Sequence, residues 1–113
     1  MIVNRTPHVI RLYRFDGPDR VDDITDGLIE QIEPTGPPVR LATIELGTQP
    51  GGIELVEFGH AHDLPAKRPD VQLIVPLIVA LACHGRDDLL FPYREVRNAE
   101  GTVVGCRQFG QVC

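Results

Sequence analysis

The amino-acid sequence predicts an α+β fold: a mainly antiparallel β-sheet with one short buried helix at about residues 76–84. Three observations predict it. Eleven Gly and ten Pro in 113 residues gather into clusters, as turn-forming residues do. The segments between the clusters are short and rich in Val, Ile, Leu and Thr, which suits strands. One segment, Leu77–His84, is apolar on nearly every helical face, so it belongs in a core or a subunit interface. The length suits a single domain over residues 1–113, large enough to bury a core without disulfides or a structural metal.

The expected strands are 8–14, 28–33, 39–46, 53–59, 71–75, 88–91, 94–97 and 102–109. Asn4-Arg5-Thr6-Pro7 builds a turn that starts the first of them, because Asn and Thr side chains bond locally to the backbone. Asp16–Asp19, Glu33–Pro38, Thr48–Gly52, Leu64–Asp70 and Asn98–Gly101 are turns or loops. In Ile53–Phe58 the alternation breaks at Val56, which marks a bulge or a strand end. Pro76 fits the first turn of the helix, where its missing N–H does no harm, and Gly85 is placed to stop it. Arg94 to Phe109 reads as a hairpin around Asn98–Gly101.

Composition narrows the function classes. The net charge is −5, which argues against a dedicated duplex nucleic-acid binder. The longest apolar run, Leu73–Cys83, has eleven residues and contains Pro76, too few for the roughly 20 that span a bilayer core. The N-terminal residues lack the apolar stretch of a signal peptide. Cys83, Cys106 and Cys113 are odd in number and form no CxxC pair, so the expectation is a cytoplasmic protein with reduced thiols, and Cys113 is placed for adventitious pairing.

Chemistry-bearing residues are few. His60 and His62 alternate on a strand beside Asp63, as metal ligands can, but two or three local ligands do not close a site. Cys83 and His84 are adjacent in the most apolar segment, where thiols are usually packing groups. No nucleophile-elbow, P-loop, HExxH or dinucleotide fingerprint is present, and no cofactor is expected. The arginines are more informative: ten of the eleven cations are Arg. Arg40 opens a central strand, Arg86 follows the helix with Asp87 beside it, and Arg97 and Arg107 lie on the C-terminal hairpin. A guanidinium grips phosphate bidentately, so a few converging arginines would hold a small nucleotide even on an acidic protein. A coding bias from Lys to Arg explains the same excess, and both readings stand.

Several motifs together resemble a family. Asn4-x-Thr6-Pro7-His8, Pro34-Thr35-Gly36, Arg40, Gly59, Leu64-Pro65 and Leu73–Ala80 follow the order seen in small phage and prophage proteins with an N-x-T-P-H opening. So do Arg86-Asp87-Asp88-Leu89-Leu90-Phe91-Pro92, Val96-Arg97-Asn98 and Val103-Val104-Gly105-Cys106-Arg107. Pro76 departs from the pattern where Ser is expected. The group is similar to the first Thoeris anti-defence family of phage sponge proteins. That resemblance implies a homo-oligomer that traps a signalling nucleotide, a cyclic ADP-ribose isomer or cyclic oligonucleotide, without turning it over.

The leading expectation is therefore a non-enzymatic nucleotide-binding module. Arg86 and Arg107 hold phosphates, with Arg40 and Arg97 as further candidates. Asp87 accepts from a ribose hydroxyl or orients Arg86, Phe91 (or Phe109) stacks on a base, and Asn4 and His8 line the pocket edge. Two rivals stand beside it. One is a nucleotide or phosphoester enzyme using His8, His60 or His62. The other is a structural phage component whose 71–83 segment builds an oligomer core.

Overall fold

The computed structural model describes residues 1–112. Cys113, expected to pair adventitiously, lies outside them. The strands are β1 (Ile2–Asn4), β2 (Ile10–Tyr13), β3 (Leu28–Ile32), β4 (Arg40–Gln49), β5 (Ile53–His62), β6 (Gln72–Ile74), β7 (Leu89–Arg97) and β8 (Val103–Gly110), and the helix is α1 (Leu77–Ala82). Most ladder partners belong to three antiparallel pairs, β2–β3, β4–β5 and β7–β8, so the α+β, mainly antiparallel class holds. Six strands form one sheet in the order β1-β6-β7-β8-β2-β3, while β4 and β5 pair only with each other.

That sheet also contains parallel pairs, β1–β6, β6–β7 and β2–β8. Parallel neighbours need a crossover of a dozen or more residues. The stretch 75–88, with α1 inside it, supplies that connection between β6 and β7. This explains why the most apolar segment splits into a strand and a helix. β6 is completed from both sides by β1 and β7, then Pro76 ends the strand and caps the helix with an extended backbone.

The helix is shorter than the expected 76–84, and the expectation of burial on nearly all sides holds for one face. Val79 and Ala80 are buried with Val39, Leu73, Val75 and Leu89, while Leu77, Ile78 and Leu81 stay exposed. A second small core holds Tyr13, Val21 and Val96, and the Tyr13 hydroxyl donates to the Ile24 carbonyl at 2.8 Å.

The two strands expected at 88–91 and 94–97 are one, β7. β6 ends opposite Leu90, so from Phe91 onward one side of β7 carries no ladder, and a proline is tolerated there. The irregularity expected at Val56 falls on the opposite strand: the β4 register shifts between Glu45 and Gly47, facing Val56 and Leu55. The hairpin turn at 98–101 forms as expected. The Asn98 side-chain oxygen accepts from the Glu100 and Thr102 amides at 3.1 and 2.9 Å.

Candidate functional site

β8 carries Arg107 across the middle of the sheet, beside β2. The residue is only 4 % exposed. Its Nη1 donates to the Arg14 carbonyl just past the end of β2. Nε and Nη2 are buried and have no hydrogen-bond partner among the described residues. The nearest carboxylate, Asp19, is itself exposed and stands 3.7 Å from Nε, beyond hydrogen-bond reach. A buried guanidinium with unspent donors carries a desolvation cost that an anion would offset.

Arg107 borders a hollow of about 400 Å³ formed by the β2–β3 connection. Arg14, Arg20, Asp16, Asp22 and Asp26 also line it. Gly17 lets the loop lie against the guanidinium: a Cβ at this position would come within 2.6 Å of Arg107 Nη1. Hydrogen bonds from the Gly17 amide to the Arg14 carbonyl (3.2 Å) and from the Arg14 amide to the Gly27 carbonyl (2.9 Å) tie the loop down. The hollow thus combines cationic forks, suited to phosphate, with carboxylates, suited to hydroxyl or amino donors.

The other expected site residues lie elsewhere. Arg86 does not join Arg107 in this hollow. Its Nε and Nη2 grip Asp88 at 2.8 and 2.7 Å, and Nη2 also donates to the Pro65 carbonyl at 3.0 Å. The Arg86 hydrogen bond holds the Asp88 carboxyl below its ordinary 3.8, and the same bond raises the guanidinium. This pair staples the segment before β6 to the start of β7. The partner is the buried Asp88, not the neighbouring Asp87. Asp87 instead pairs with Lys67, whose ammonium lowers its carboxyl.

Asn4 is fully committed. Its Nδ2 donates to the His8 and Ile32 carbonyls at 2.7 and 2.9 Å, and its Oδ1 accepts from the Thr6 amide and hydroxyl. It locks the opening turn and leaves no amide hydrogen for a ligand. Arg97 donates to Glu95 and to the Gly101 carbonyl, both at 2.7 Å, at the C-terminal hairpin. Arg40 is exposed where β4 begins, paired in register with His62. Phe91 packs against the larger core, edge-on to Tyr93 at 6.4 Å, so its ring is a packing group. His8 and Arg11 border a separate, more apolar hollow of about 630 Å³. The buried Cys106 also lines that hollow, and burial pushes its thiol up, away from the reactive thiolate.

Of the residues that line this hollow, the sequence reading singled out Arg107 and passed over Arg14, Arg20 and Gly17. The Asp16–Asp19 cluster read as a turn and nothing more, although an arginine lies close to it on each side. No group of three His, Cys, Asp or Glu among the described residues is arranged to hold a metal ion. Among the described residues no helix is long and apolar enough to cross a membrane. Comparison with protein-family models, curated proteins and solved structures gave no match.

Proposed function

We propose that the protein binds a small phosphorylated ligand at Arg107 and holds it without chemical change. The observation that carries this is the buried guanidinium with Nε and Nη2 unspent at the edge of a 400 Å³ hollow. A phosphate there would gain charge-assisted bonds and offset the cost of burying the arginine. Arg14 and Arg20 add positive charge, and Asp16, Asp22 and Asp26 can accept from sugar hydroxyls. Phosphate beside hydroxyl acceptors favours a nucleotide over inorganic phosphate. With the motif resemblance, the ligand class is a signalling nucleotide such as a cyclic ADP-ribose isomer. The role is sequestration in the cytosol of a host cell, by a protein that associates with further copies of itself.

The test is to incubate the protein with cyclic ADP-ribose isomers, remove free ligand, denature by heat and identify what is released. Release of intact ligand, lost in Arg107→Lys, is the expected result. Lys keeps the charge but not the planar fork. Absence of binding to any isomer, or release of a processed product, overturns the reading.

A further inference from the structure

β4 and β5 form a two-stranded arm that joins no other sheet. Only its root is packed: Leu41 and Ala61 lie against the larger core, with α1 beside β4. Beyond the root, Ile44, Leu46, Ile53, Leu55, Val56 and Phe58 are 41–59 % exposed. Cross-strand partners share a face. Phe58 and Val56, opposite Thr43 and Glu45, therefore lie on one face, and Leu55 and Ile53, opposite Gly47 and Gln49, on the other. Both faces carry large apolar groups, and neither is covered. An isolated hairpin in water is marginal at best, so this arm needs a surface to lie on. The radius of gyration, 16.3 Å, exceeds the roughly 13 Å of a compact chain of this length.

We infer that the arm clasps a second copy of this chain, its Ile44–Ile53–Leu55 face lying on the exposed side of α1 of the partner, with the same contact repeated about a two-fold axis. Area supports a second copy. On one face of the arm Ile44 (opposite Glu57), Ile53 and Leu55 present roughly 300 Å², and Leu77, Ile78 and Leu81 add roughly 300 Å², so the reciprocal contact removes on the order of 1,200 Å² in total, the lower end of specific interfaces. Charge chooses the arrangement. Residues 41–66 include Glu45, Glu54, Glu57 and Asp63 but no Lys or Arg. Arm against arm would set these glutamates against their own copies. The helix, Leu-Ile-Val-Ala-Leu-Ala, carries no charge and accepts the arm without repulsion. A reciprocal contact uses one arm face and the helix stripe of each copy and closes as a dimer. The inference rests on the self-association part of the proposed function and is independent of the ligand.

Light scattering after size exclusion tests it. The expected mass is twice the 12.5 kDa of the chain. Ile53→Glu with Leu55→Glu, and separately Leu77→Glu with Leu81→Glu, should each weaken the dimer at least about 100-fold. A wild-type monomer at all concentrations overturns the inference. So does a dimer that either double variant leaves intact. Hydrogen exchange of the wild type needs no variant: amides of 43–58 should be protected when concentrated and lose protection on dilution. Fast exchange at every concentration also overturns the proposal. Ligand release is read separately, so failure of the dimer and failure of the binding site are distinguishable.

Discussion

Arg86 and Arg107 sit in two regions that solve one physical problem in opposite ways. At the α1–β7 junction, Arg86 meets a buried carboxylate in a two-point grip and a carbonyl besides. At the β2–β3 loop, Arg107 is buried more deeply yet bonds only one carbonyl, leaving Nε and Nη2 without hydrogen-bond partners and the exposed Asp19 3.7 Å from Nε. A closed pair of this kind holds segments together. An open, buried guanidinium contributes little to stability and keeps donors unspent. Burial alone therefore does not separate a candidate binding arginine from a structural one; the spending of its donors does.

The largest expected effect breaks the closed region. Arg86→Met strands the buried Asp88 carboxylate and should cost about 3 kcal/mol, read as a lower midpoint in urea unfolding. Nucleotide release, measured under folding conditions, should be unchanged. A loss below about 0.5 kcal/mol would mean the staple is not structural.

Acid acts on the same pair with a smaller effect. The Asp88 carboxyl lies below its ordinary 3.8 because Arg86 stabilises the ionised form. Its contribution is full above that value and is lost as the pH falls through the lowered folded value. Thermal unfolding from about pH 5 to about pH 2 should show a steep loss in the wild type and a shallower one in Asp88→Asn. Parallel curves would contradict the assignment.

The smallest stability effect belongs to the open region. Arg107→Met, a side chain of similar reach, removes two unspent donors and one bond to the Arg14 carbonyl, so stability should stay within about 1 kcal/mol of wild type, or rise. A large loss would mean that Arg107 is a structural staple after all, and would close the comparison.

Much of the fold was legible in the sequence because Pro and Gly clusters and β-branched runs act locally. The C-terminal hairpin, its Asn98 turn and the Pro76 junction follow from residues a few positions apart. β1 was not expected, because three residues carry no periodicity and form a strand only against β6. The division of the chain into a packed sheet and a bare arm was not legible either. Ile53–Phe58 has the composition of any half-buried strand, and only its neighbours in space decide whether it is covered.

The site was less legible for the same reason. Residue type alone determined that a few arginines on an acidic chain could meet a phosphate, and Arg107 was among those singled out. Tertiary structure decided which of them had already found a partner. Asp88 takes Arg86, Glu95 takes Arg97, the core takes Phe91, and the opening turn consumes Asn4. A hydrogen bond depends on distances of a few tenths of an ångström between groups far apart in the chain, and those distances exist only once the strands are in register.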